Sequence, residues 1–446
     1  MAFLDATIVN IAFPSLQSSF PGVARAWLSW VLNGYNIIFA ALLVPAGRLA
    51  DLVGRRRVFF AGVLVFGVAS LVCAAASSAA VLVLVRALQA LGAALLVPTA
   101  LGLLLDAYPL GERVRAIAIL GAAAALAAAS GPVFGGLLVE AFGWRAVFVV
   151  NLPICLLTLY LIRRWVPESR DPSAGSIPDA VGIVLFTASM ALLALGLTRQ
   201  EVWGWGDIRV SGSLALGAVA FGLFVFRSRR HPAPAVELTL FARGRVGFAN
   251  LATTIFGASF YAKILIDVLF LTSIWGYSVL GAGLAMTPGP LITAIVAAPA
   301  GRLADRFGTG PTAAAGGVVY AVACAWYALR AGTTADYLGV WLPGAVLTGV
   351  GMALAFPSLT SAAVTSLSPS RYSTGSAVNS AARQMGGVLG IAIAVSIIGG
   401  TTHLVGYGNY VNAWTYAAVT AAVAAAAAVG IGLRGEGEQS SARAPA

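Results

Sequence analysis

Apolar residues run along this chain in stretches of about twenty, parted by short polar segments. A stretch of that length crosses about 30 Å of hydrocarbon as a helix. Alternating segments of about ten residues, the mark of a closed membrane barrel, are absent. Length and loop signals predict an all-α polytopic membrane protein with about fourteen spans. Six spans fall at 1–17, 27–49, 57–78, 80–105, 114–139 and 145–164, and two more at 179–198 and 210–227. A last six fall at 246–273, 280–300, 312–330, 338–364, 374–400 and 411–433. The expected organisation is a six-helix bundle over 1–164, a linker with two extra helices over 165–245, and a second bundle over 246–433. A polar tail over 434–446 reads as disordered.

Two repeated phrases relate the bundles. GRLADLVG at Gly47–Gly54 recurs as GRLADRFG at Gly301–Gly308, and GAALLVP at Gly92–Pro98 recurs as GMALAFP at Gly351–Pro357. Internal duplication is the usual build of secondary transporters. Within the first phrase, Gly47 and Gly54 permit close helix approach and a tight turn. Asp51 is placed to accept hydrogen bonds from a neighbouring helix start, and Arg55 begins a basic cluster. Asp51 and Arg55 read as a conformational latch, with a pure topology signal as the plainer alternative. Asp305 in the second copy lacks the trailing arginines.

The chain is 59% hydrophobic and 10% charged, which excludes a set of soluble domains. Its net charge of +11 would raise nucleic acid as a partner in a soluble protein. Here the arginines gather in every second loop, the positive-inside pattern, so no nucleic acid is expected. That pattern puts both termini in the cytoplasm of a cell-membrane protein and the EVWGWGD loop, with Trp203 and Trp205, outside. No cleavable signal peptide precedes the first span. Cys73, Cys155 and Cys324 lie in separate apolar runs and read as buried free thiols. No metal is expected, since His231 and His403 sit apart and no CxxC spacing occurs.

Charges inside spans cost several kcal/mol unless paired or hydrated, so each is a functional candidate. Asp5, Arg86 and Arg383 qualify, as do Lys263 and Asp267, whose i,i+4 spacing lets them pair with each other. Asp5 has no cation in its own span and reads as an unpaired carboxylate that loads and releases a proton, with Arg86 modulating its proton affinity or orienting it. It lies close behind Met1, so the first helix is short: either Met1 is internal to a longer gene, the favoured reading, or the protein tolerates a short first helix. SGPVFGG puts Gly131, Pro132, Gly135 and Gly136 in the fifth span, where proline bends a helix and glycine lets a neighbour close. Asn33, Tyr35, Asn36, Gln89, Asn250, Tyr261, Asn379 and Gln384 are cavity candidates by helix position, with interhelix hydrogen bonding as the equal alternative.

These motifs resemble the major facilitator superfamily, specifically its fourteen-span drug:proton antiporter branch, over essentially the whole chain. LDATIVNIAFP is similar to that branch's first-helix signature, which implies protonation at Asp5 and support from Asn10. GRLADLVGRRR resembles the loop motif between the second and third helices, and LVRALQALGAALLVP the fourth-helix motif whose arginine, here Arg86, is linked to proton coupling. SGPVFGG resembles the fifth-helix antiporter motif, which ties it to export; WRAVFVVNLP and ARQMGGVLG also look like this branch. Ala90 after Gln89, and Ala118 and Ala127 upstream of Gly131, depart from the usual glycines.

The resemblance implies two pseudo-symmetric bundles that rock around a central cavity. It implies a proton-coupled multidrug or small-molecule efflux antiporter, monomeric, moving a small amphipathic or cationic substrate against protons. The alternative is a proton-coupled symporter, or a narrow-specificity metabolite or antibiotic exporter, on the same fold. No enzyme, cofactor or ATP is implied, since no Walker-type loop and no nucleophile–base pair occurs.

Overall fold

In the computed structural model every regular element among the described residues is a helix. The structure describes all residues except 110–122, 124–126, 128–129, 132, 171–178, 233, 235, 237, 239–243, 366, 368–371, 400–405 and 442–446. Pro132, Ala118 and His403 therefore lie outside the described residues.

The first bundle contains α1 (Ala2–Ser19), α2 (Trp30–Val53), α3 (Arg55–Ala74), α4 (Ala79–Ala107), α5 (Val133–Phe142) and α6 (Asn151–Trp165). The two intervening helices are α7 (Ala180–Trp203) and α8 (Ile208–Ser228). The second bundle contains α9 (Gly244–Ser273), α10 (Val279–Met286) running into α11 (Pro288–Phe307), and α12 (Thr309–Arg330). It is completed by α13 (Leu342–Thr365), α14 (Tyr372–Ile398) and α15 (Tyr407–Ser441). Twelve helices among the described residues are long and apolar enough to cross a membrane. The first and fifth expected spans correspond to α1 and to the shorter apolar helix α5. The last helix continues past residue 433 to Ser441, into the stretch expected as a disordered tail.

The bundles repeat one packing scheme. In the first, α4 packs against α2 and α3, and α3 against α6; in the second, α13 packs against α11 and α12, and α12 against α15. Glycines mediate the closest approach in each. Gly131 and Gly135 press the fifth span onto Thr7 and Ile8 of α1, as Gly386 and Gly390 press α14 onto the α9 backbone at Thr254 and Ala258. Added methyl groups there would overlap the facing atoms, so these positions require glycine.

The intervening helices pack on each other, and α7 also lies against α14 and α2. Asp179 starts α7 by accepting from the Gly182 N–H at 3.0 Å, and it holds the Arg227 guanidinium at 2.8 and 3.1 Å. Large apolar side chains such as Leu84, Leu156, Ile295 and Leu329 face outward, as a lipid-facing surface requires. The three cysteines are buried and unbridged.

Candidate functional site

The first bundle brings the intramembrane charges together across helices. Asp5 of α1 is fully buried, and its Oδ2 accepts from the Arg86 guanidinium of α4 at 2.6 Å. Its Oδ1 accepts from Gln89 Nε2 at 3.0 Å and from Asn151 Nδ2 of α6 at 3.1 Å. The expectation of an unpaired Asp5 is thus corrected: its cation comes from a neighbouring helix, which its own span could not reveal. Gln89 also accepts from Arg86 at 2.6 Å and donates to Ser70 of α3 at 2.7 Å. Arg86 donates to the Val31 carbonyl and lies over the Tyr35 ring, 4.1 Å from its centre. Donors from α4 and α6 therefore converge on one carboxylate of α1, and the surrounding network reaches α2 and α3.

Such a network suits proton transfer. A buried pair with every partner in place tolerates its charges, whereas moving one helix by an ångström or two removes donors and favours the neutral acid. Asn151 and Ser70 were missed as site residues, although Asn151 sits inside the WRAVFVVNLP motif. Asn10 is buried on the same helix as Asp5. Asn33 and Asn36 are buried on α2; both side-chain amide atoms of Asn33 lack a partner among the described residues.

The second bundle is organised differently. Lys263 and Asp267, both on α9, pair with each other, so the i,i+4 reading holds. The Trp414 indole donates to Asp267 at 2.9 Å, and the Lys263 ammonium sits 4.5 Å from the Tyr327 ring centre. Asn379 donates to Asn250 and Thr253 at 3.1 and 2.8 Å and accepts from Thr360 at 3.1 Å. Those bonds stitch α14 to α9 and α13. Tyr261 donates to Gln384 at 2.6 Å, and the neighbouring Arg383 stacks against Phe356.

The repeated phrases end in different surroundings. Gly54 takes a positive φ of 125° and packs beneath Glu168. Glu168 in turn accepts from the Arg56 backbone N–H at 3.0 Å, at the start of α3. Arg55 bonds Asp51 at 2.8 Å and also pairs with Asp106 at the end of α4. The described partner of Asp51 is thus Arg55, rather than the backbone at a neighbouring helix start. Gly47 lies against Pro98. Asp305, by contrast, is exposed and makes no ion pair among the described residues.

At the opposite end the bundles touch. Gly136 faces the α10 backbone, where a Cβ would lie 2.8 Å from Leu280 Cα. Glu140 accepts from the Ser278 hydroxyl at 2.9 Å and the Leu280 N–H at 3.3 Å, a carboxylate at the positive end of a helix. Glu140 and Ser278 line a recess of about 370 Å³ that also takes in Pro14, Ser18 and Thr272. Glu140 had no signal beyond its position after SGPVFGG.

The sequence pattern of the Major Facilitator Superfamily matches residues 1–390 and, again, 247–445. The chain belongs to that superfamily. The chain is 35% identical over 406 residues to the cephamycin export protein CmcT of Amycolatopsis lactamdurans, covering 90% of this chain and 83% of that one. It is 34% identical over 401 residues to the multidrug resistance protein Stp of Mycobacterium tuberculosis strain H37Rv, covering 89% and 73%. The tetracenomycin C resistance and export protein of Streptomyces glaucescens is 32% identical, with 88% and 72% covered. A crystal structure of the peptide transporter POT superposes with a TM-score of 0.70 at 16% identity, covering 97% of this chain and 93% of that one, and so shares the fold. The protein is a multi-pass membrane transporter of a family whose named relatives carry drugs and antibiotics, consistent with the drug:proton antiporter branch.

Proposed function

We propose that this carrier is a proton-coupled efflux antiporter of the cell membrane that exports a small amphipathic drug or antibiotic by alternating access. It makes and breaks no covalent bond, works as a monomer, and keeps both termini in the cytoplasm. The observation that carries the reading is the Asp5 carboxylate, fully buried and held at 2.6 Å by Arg86 across two helices. In this state, closed by Gly136 and Glu140 at the end away from the arginines, Asp5 is paired with Arg86. As the bundles rock, α1 shifts against α4 and α6 inside the first bundle, the acid takes a proton from the outside, and returning releases it inside. Export against a gradient then follows from the inward fall of the proton. Antiport is favoured over symport by the SGPVFGG motif at Ser130–Gly136, which resembles the fifth-helix antiporter motif.

The test is a susceptibility panel in a host stripped of its own pumps, including puromycin, tetracenomycin C and a cephamycin, with flux followed in everted vesicles. Protection against at least one compound, lost when the pH gradient is collapsed, is the expected result. Unchanged susceptibility throughout, with no gradient-dependent flux, would sink the reading.

A further inference from the structure

Three cationic side chains lie in the middle of the described spans, and two are neutralised there. Arg86 is paired with Asp5 and Lys263 with Asp267. Arg383 of α14 makes no ion pair with a carboxylate among the described residues. Its Nε is buried without a hydrogen-bond partner, and its guanidinium carbon sits 5.5 Å from the Phe356 ring centre. An arginine at this depth without a counter-ion is costly, and cation–π contact recovers only part of that cost.

The open side of Arg383 does not face lipid. Helix α14 is enclosed by α2, α7, α9, α13 and α15, and none of its residues with described side chains is exposed. Its backbone is pinned to α9, where a Cβ at Gly257 would lie 2.6 Å from the Arg383 carbonyl oxygen. The half-buried guanidinium therefore turns to the protein interior against Phe356, with Phe260 and Tyr261 next in the same aromatic cluster. Phe260 and Phe356 stand edge to face with ring centres 5.2 Å apart, and Tyr261 lies against Phe260 at 5.1 Å. An apolar aromatic wall with one fixed cation is complementary to an aromatic molecule that carries an acidic group.

We infer that Arg383 is the docking point for a carboxylate, or an equally acidic oxygen, on the exported molecule, so that the cargo is an anionic aromatic amphiphile. The inference rests on the efflux reading above and narrows its substrate class, against the cationic alternative. Guanidinium and carboxylate pair through two parallel hydrogen bonds, and Arg383 Nε is one of the donors left available. The bound anion also restores neutrality to an interior where three cations face the two carboxylates Asp5 and Asp267.

The probes are 1-pyrenebutyric acid, 9-anthracenecarboxylic acid and fluorescein, each beside its methyl ester. Binding to the purified full chain is read at neutral pH by thermal stabilisation and tryptophan quenching. At least one acid is expected to bind more tightly than its ester. Arg383→Gln should weaken the acid by about tenfold or more, leave the ester within about twofold, and Arg383→Lys should recover part of the loss. Esters binding as tightly as acids, acid binding that survives Arg383→Gln, or no binding by any acid would overturn the inference. Acid binding without any gradient-driven efflux would instead break the export reading and leave the anion site standing. Efflux of cationic compounds alone would do the reverse.

Discussion

Each bundle buries an ion pair, but the two pairs are wired differently. Asp5 and Arg86 sit on separate helices, with further donors from α4 and α6 and a hydroxyl on α3. Lys263 and Asp267 sit one turn apart on α9. A pair on one helix keeps its own geometry when helices shift, so helix movement reaches it only through Trp414 of α15 and Tyr327 of α12. A pair across helices loses partners with any relative shift, which ties its proton affinity to conformation. The first has the form of a coupling device and the second that of a structural pair.

Arg86→Met breaks the comparison hardest. It leaves Asp5 buried with only amide donors, a change worth roughly 3–5 kcal/mol. Gradient-driven export should fall below detection while the protein stays in the membrane; export within about twofold of wild type would refute cross-helix coupling. Lys263→Ala should cost less, roughly 2–3 kcal/mol of stability, because the Trp414 indole still donates to Asp267. The double change Lys263→Met with Asp267→Leu should be more stable than Lys263→Ala and still transport, read by melting in detergent and by vesicle flux. A double variant that folds but cannot transport would make the second pair a coupling device too.

The repeated phrase offers the same contrast on a smaller scale. Asp51 and Asp106 both hold Arg55, tying α2, α3 and α4 together, whereas Asp305 stands exposed. Asp51→Asn should shift the conformational balance by roughly 0.5–1.5 kcal/mol, a change of about 2- to 10-fold in transport rate. Asp305→Asn should stay within about twofold, so equal losses at the two sites would show that the phrase acts independently of its ion pairs.

Asp179 gives the mildest test, at a pair that joins the ends of the two intervening helices, α7 and α8. Burial opposes its charge, but the Gly182 N–H and the Arg227 guanidinium outweigh that and hold its carboxyl below the usual carboxylate range. Its contribution is therefore present above the unfolded carboxylate range, near pH 4, and lost as pH falls through the lower folded value. Asp179→Asn should lower stability by about 0.5–2 kcal/mol at neutral pH without altering coupling, and the gap to wild type should close in acid. A gap that persists unchanged to pH 3 would remove the carboxylate from the account.

What was legible in the sequence follows from the range of each interaction. Span lengths report the bilayer directly, and the two GRLAD copies report duplication, so the fold could be read without contacts. Lys263 and Asp267 could be paired on paper because helix geometry fixes i,i+4 neighbours. Asp5 could be singled out as a carboxylate in a span and Arg86 named as acting on it, but the ion pair itself and the amide donors could not be given. Arg86 and Asn151 reach it across 81 and 146 residues of chain, and no local periodicity encodes such distances. Glu140 escaped for the same reason, since its meaning comes from the start of α10. Asn250 and Asn379 were ambiguous between cavity lining and interhelix bonding, and the bonds between them favour the latter.

The central claim is that Asp5 carries the coupled proton. Its most direct test is Asp5→Asn in everted vesicles, comparing uphill accumulation driven by an imposed pH gradient with substrate counterflow at equal pH. Asparagine keeps the size and hydrogen bonding of a neutral acid but cannot cycle a proton. The account predicts that uphill accumulation disappears while counterflow persists. Uphill accumulation at the wild-type level, still abolished by collapsing the pH gradient, would contradict it.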